Sequence, residues 1–240
     1  MKRSNKNEIM KLFWIFMVAS IIGCMLETIF CLVVEKHFKI RQGVIYGPFI
    51  PVYGAGAIFF YLVVPKITGA TANHTKEVSW VKIFLYTMLL GGITEYLFSY
   101  AQECLFGTVS WEYSHSLFNL NGRTNLSYCI LWGIGGIIFI KFLYPYTEKL
   151  DNINYLNKKA QVITMFLFVF MILNMVTSML AGYRQYARTQ NIMAETRIEQ
   201  FLDKHYPDKL MDAIFSNKQN KNDLKRVRKL KSLKPIVQDS

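Results

Sequence analysis

Two carboxylates interrupt runs that are otherwise apolar. Glu27 lies inside Leu12–Val34 and Glu95 inside Ile83–Gln102. A glutamate in such a run can bind an ion, a proton or a polar substrate, or it can tie two helices by a hydrogen bond or charge pair. An ionised group at mid-bilayer costs about 2.5–3.5 kcal/mol, so both side chains are expected to face the protein interior. Two of them on separate runs point to one shared polar cavity. Arg41 and Arg123 lie just outside such runs, in segments rich in turn residues. A guanidinium stays charged and meets a carboxylate as a planar fork, so at least one arginine is expected to pair with Glu27 or Glu95. The plainer reading is a loop arginine bonded to lipid phosphate. Tyr46 and Tyr53, in the Gly/Pro-rich stretch after Arg41, and Asn119 and Asn121, in the turn that Arg123 closes, complete the candidate set.

Other chemistries find little support. The four histidines, 37, 74, 115 and 205, have no ligand spacing, so no metal site is expected. Cys24 and Cys31 lie seven apart, on one helix face, and read as small apolar residues. No G-x-x-x-x-G-K-[ST] occurs, so the chain is not its own P-loop ATPase. No activated nucleophile or cofactor motif is visible, and nothing speaks for an enzyme. Asn73-His-Thr and Asn125-Leu-Ser match the glycosylation pattern, with no compositional reason to take either further.

The elements that must position these residues follow from composition. Of 240 residues, 52% are hydrophobic and 18% charged, against about 25% charged in a soluble domain. Four cysteines without C-x-x-C exclude a disulfide scaffold, and the aromatic load excludes disorder. A span needs about 20 apolar residues. Five segments qualify: 12–34, 43–64, 83–102, 126–146 and 160–183. The fold class expected is all-α, a polytopic membrane helix bundle of five transmembrane helices over 1–183, with a basic C-terminal tail over 184–240. The first run is too long for a signal h-region and has no A-x-A-like site, so it reads as an uncleaved span.

The second segment contains Pro48, Pro51, Gly54 and Gly56. It predicts an irregular entry over 43–51, then helix from about Val52, with a re-entrant element as the alternative. With the N-terminus inside, the short inside segments hold eleven Lys/Arg and the outside loops four. Five spans then put the basic tail outside, a conflict that a re-entrant second segment removes.

The tail from residue 183 holds 13 Lys/Arg and 7 Asp/Glu. Apolar residues recur at helical spacing over Ile198–Phe215, and Pro207 divides two short helices. They read as an amphipathic surface element. Asn217–Pro235 has eight Lys/Arg and one Asp, and is expected to lie peripherally on anionic headgroups. Nucleic acid is not expected, since no binding motif accompanies the charge.

Several motifs recur together: Gly23-Cys-Met-Leu-Glu27; Arg41-x-Gly43-x-x-Tyr46-Gly47-Pro48-x-x-Pro51-x-Tyr53-Gly54; Glu95-Tyr96; Trp111-x-Tyr113-Ser114; Phe118-Asn-Leu-Asn-Gly-Arg123; and Trp132-Gly133. Over about residues 20–150 the chain resembles the bacterial family labelled putative ABC-transporter type IV permease, or CmpB-like. The resemblance implies a multi-pass protein of the bacterial cytoplasmic membrane; the absent P-loop is compatible with a permease that borrows a separate ATPase subunit and equally with a protein unrelated to transport. The resemblance carries no substrate and no catalytic residue.

Three functions compete. The first is a permease or transport component with a polar pathway at Glu27 and Glu95. The second is a structural or regulatory membrane protein that binds a partner through its loops. The third, least supported, is an intramembrane enzyme on a lipid-linked substrate.

Overall fold

Each apolar run becomes a helix because only a helix satisfies every backbone donor and acceptor within its own segment. The computed structural model describes residues 5–36, 38, 40–71, 74–147 and 158–220. Five helices are long and apolar enough to cross a membrane. They are α1 (Asn5–Phe30), α2 (Pro51–Thr68), α3 (Trp80–Phe106), α4 (Leu126–Ile138) and α5 (Lys158–Thr189). α1 continues as a π-helical turn, Cys31–Glu35, and α4 through a π-turn, Phe139–Leu143, and a 3₁₀ turn, Tyr144–Tyr146. The protein is an all-α membrane bundle.

Two helices, α3 and α5, outrun the expected spans at both ends. α3 begins three residues before Ile83 and ends four after Gln102; α5 runs six past Tyr183. Gly107, at a φ of +60°, stops α3. Pro51 occupies the first turn of α2, where its missing donor costs nothing. The one charge late in the fourth span, Lys141, is buried and donates to the carbonyls of Thr75 (2.7 Å), Lys76 (3.0 Å) and Val78.

Helix contacts fix which ends meet. Trp14 Nε1 donates to Thr164 Oγ1 (3.1 Å) and Lys11 Nζ to Tyr61 (3.3 Å) near the start of α1. The loops after α1 and α3 and the residues after α5 gather at the other end. The described part of the tail therefore packs at the end of the bundle opposite the start of α1.

The described part of the tail forms α6 (Arg197–His205) and α7 (Asp208–Ile214), divided by Pro207. Thr196 and Glu199 close a capping box on α6. The inner apolar face does not lie on lipid: Leu202, Tyr206 and Met211 are buried against Ala181 of α5 and Ile45. Arg184 grips Asp203 with two bonds (3.1 and 2.7 Å), and Arg188 bonds Asp203 and, at 2.6 Å, Asp208. Strand β1 (Thr108–Val109) pairs antiparallel with Gln219–Asn220 at the end of the described tail. Lys218, the first cation of the basic run, donates to Gln185. The rest of that run, from residue 221, lies outside the described residues, as do Lys39 and Asn73.

This docking has a defined pH dependence. The Arg184 hydrogen bonds hold the Asp203 carboxyl below its ordinary value, against the opposing effect of burial, and Arg188 adds to them. A depressed folded pKa stabilises fully above the unfolded value of about 3.9 and loses that contribution as pH falls through the lower folded value. Protease protection of residues 190–215 should therefore be flat from neutral pH to about pH 4 and fall below it. Asp203→Asn should loosen the cap at neutral pH by about 1.5–3 kcal/mol, the worth of hydrogen bonds to a charged group. Protection already lost well above pH 4 in the native chain would contradict the assignment.

Candidate functional site

Two irregular segments enter the bundle from the same end. The first, residues 40–50, folds back between α1 and α5. Cys24 Sγ donates to the Arg41 carbonyl (2.9 Å), and Ile50 N–H donates to the Ser20 carbonyl (3.1 Å), half-way along α1. Within the segment, Gly43 N–H donates to the Phe49 carbonyl (2.8 Å) and Phe49 N–H to the Gly47 carbonyl (3.0 Å), and α5 meets two further residues. Tyr46 N–H donates to Asn174 Oδ1 (3.1 Å), Asn174 Nδ2 donates to Tyr46 O (2.7 Å), and Ile45 N–H donates to Ser178 Oγ (2.9 Å). Asn174 is 2% exposed. Non-helical backbone at membrane depth survives only when buried in protein in this way.

The second segment, residues 107–125, folds back along α3. A hairpin of β2 (Asn119–Leu120) and β3 (Thr124–Asn125) turns through Asn121 and Gly122, at φ of +54° and +70°. Asn and Gly tolerate that left-handed region best. Asn125 then caps α4, its side chain accepting from Tyr128 N–H (2.9 Å).

The segments meet the two glutamates. Glu27 accepts from Arg41 Nη1 at Oε2 (3.1 Å) and from the Tyr53 hydroxyl at Oε1 (2.7 Å). Glu95, 6% exposed, accepts from the Tyr113 hydroxyl (3.0 Å) and from Thr124 Oγ1 (2.7 Å). Glu95 lies eleven residues before Phe106, about 16 Å from that helix end at 1.5 Å per residue. Tyr53 packs on Trp132 (centroids 5.3 Å) and Tyr113 stacks on Tyr128 (4.6 Å). Burial pushes the Tyr113 phenol well above its usual range, and the nearby charges of Glu95 and Glu27 push it the same way. Tyr113 is therefore a neutral donor within electrostatic reach of both carboxylates.

The expected residues are not all brought together. Arg41 reaches Glu27, but Arg123 does not reach either glutamate. It bonds Glu103 (2.6 Å) and lies over the rings of Tyr96 and Tyr100. Glu95 is held by two hydroxyls instead. Asn119 braces the hairpin, donating to Ser116 O and accepting from Gly122 N–H, and Asn121 donates to the Tyr96 hydroxyl (3.0 Å). Tyr46 points its hydroxyl at Tyr206 (2.8 Å), which joins the first segment to the tail. Tyr113, Thr124, Asn174 and Ser178 were not expected. Each acts across a long stretch of sequence, where periodicity carries no signal.

Residues 14–179 match the model of the family described as "Putative ABC-transporter type IV". The chain belongs to that family. The matched stretch contains both glutamates, every side chain that bonds them, and the α5 residues that hold the first segment. It stops short of α6 and α7. Comparison with curated proteins and with solved structures returns no match. Family membership makes this an ABC-transporter-related membrane protein.

Proposed function

We propose that the chain is the membrane-spanning permease subunit of an ABC-type transporter in a bacterial cytoplasmic membrane. Its ATPase is a separate polypeptide, consistent with the missing P-loop. Its polar pathway runs past Glu27–Arg41–Tyr53 and Glu95–Tyr113–Thr124, with Tyr46, Asn119 and Asn121 setting the loops at its mouth. The basic run from residue 221 is assigned to anionic headgroups by its charge alone. The observation that carries the reading is a pair of carboxylates on different spans, Glu95 buried and Glu27 partly so, each met by an irregular segment that enters the bundle. Polar groups placed so deep are costly and mark substrate or ion pathways.

A structural reading has its own support. Each oxygen of both glutamates holds a partner from the same chain. Purification of the tagged full chain from its native membrane separates the two. The permease reading expects an ATPase subunit to co-elute and expects ATP hydrolysis by that complex to fall to background in a folded Glu95→Gln variant. A folded Glu95→Gln complex with unchanged hydrolysis, or a chain that never carries an ATPase, favours the structural reading.

A further inference from the structure

The four helices around the site are two copies of one unit. Phe16, Gly23, Glu27 and Phe30 of α1 recur 68 residues later as Phe84, Gly91, Glu95 and Phe98 of α3. Tyr53-Gly54-x-Gly56 and Phe60 of α2 recur 79 residues later as Trp132-Gly133-x-Gly135 and Phe139. The contacts recur too. Gly23 lies against the Tyr53 ring and Gly91 against Trp132; Gly54 lies against Phe16 and Gly133 against Phe84. Equivalent residues also touch each other: Tyr53 with Trp132 (5.3 Å) and Phe60 with Phe139 (6.2 Å). Contact between like positions is the signature of an isologous two-fold interface. Both irregular segments enter from one end, so the pseudo-axis runs along the membrane normal.

The copies differ at their glutamates. In the first, Arg41 from the entering segment supplies a positive charge to Glu27. In the second, the arginine of the entering segment turns away to Glu103. Glu95 keeps only neutral donors, and among the described residues no Lys, Arg or His bonds it. The groups facing the Glu95 region are phenols and a like charge: Tyr53, Tyr113, Tyr128 and Glu27, whose own charge Arg41 meets. One turn further along α3, Ser99 Oγ is buried and has no partner. A buried carboxylate is not kept ionised by hydroxyls alone; a positive charge must accompany it.

We propose that Glu95 takes up one exchangeable monovalent cation, supplying the counter-charge that Arg41 supplies for Glu27. The class is a single small positive charge: a proton, an alkali-metal ion or a primary ammonium. A proton adds to a carboxylate oxygen and no other bond changes. The other two sit among the Glu95 oxygens and the hydroxyls of Thr124 and Ser99. This deepens the permease reading and rests on its polar pathway, but its test needs neither ATPase nor transport.

The test is an infrared titration of the purified full chain in phosphatidylcholine nanodiscs. One arm varies pH from acidic to alkaline in choline chloride. Two others add sodium chloride or methylammonium chloride at fixed pH. A proton appears as a carboxylic-acid carbonyl band that vanishes with rising pH; an alkali ion or ammonium appears as a salt-dependent shift of the carboxylate band. The expected signal is lost in Glu95→Gln and kept in Glu27→Gln. Thr124→Val and Tyr113→Phe, which leave the carboxyl in place, should move a proton midpoint to higher pH by removing donors to the charged form, or weaken the salt effect. A signal that persists in Glu95→Gln, disappears in Glu27→Gln, or ignores both donor variants overturns the proposal. So does the absence of a signal in every arm.

Discussion

Replacing Arg41 by methionine should destabilise the folded protein by about 3 kcal/mol, and adding Glu27→Gln should return most of that loss. Breaking a buried pair by removing one partner costs about 3–5 kcal/mol, because the remaining charge is stranded in low dielectric. The lower end applies here, since the two side chains keep 20% and 25% of their exposure and water screens them in part. The neutral amide introduced by Glu27→Gln would still accept the Tyr53 hydroxyl that now bonds Glu27 at 2.7 Å. The double variant thus loses one ion pair and strands nothing. Denaturation in detergent of the two single variants and the double variant measures the coupling. Additive losses would show that Arg41 stabilises through something other than Glu27.

Asn174→Leu should also be damaging, at about 2 kcal/mol. Its amide satisfies both the N–H and the carbonyl of Tyr46. The side chain is nearly inaccessible, so no water replaces it. Each backbone group left buried without a partner costs about 1–3 kcal/mol, and the lower end applies because Tyr46 is half-exposed. The loss is local in origin: it releases residues 40–50 from α5, and with them the Arg41 that faces Glu27. Asn174→Leu should therefore weaken the coupling between Arg41 and Glu27 in a double-mutant cycle. Asn174→Asp keeps the acceptor and loses the donor, and should fall between native and leucine.

The five spans were legible because apolar length alone decides them. The irregular entry before α2 was legible as well, since Pro48 disfavours a helix interior, although the helix starts at Pro51, one residue before the expected Val52. The interior position of the glutamates followed from the cost of exposing them to lipid. What periodicity could not supply was partner choice. The expected third span stopped at Gln102 and so left Glu103 out of the helix. α3 continues through Glu103 to Phe106, which places a carboxylate beside Arg123 and takes that arginine from Glu95. The donors to Glu95 come from residues 18 and 29 positions away, in a segment whose turn chemistry was visible but whose direction was not. The apolar periodicity of Ile198–Phe215 marked an amphipathic element, but not that its acids Asp203 and Asp208 would meet Arg184 and Arg188 on α5.

Residues 40–50 run inside the bundle, held by α1 and α5, rather than over its surface. Backbone hydrogen exchange on the full chain in nanodiscs tests this claim without any substitution. The N–H groups of Ile45, Tyr46 and Ile50 donate to Ser178, Asn174 and the Ser20 carbonyl. Peptides covering 43–50 should then exchange as slowly as those from the middle of α1. Exchange as fast as in the connection after α2, at residues 74–79, would place the segment in water and contradict the claim.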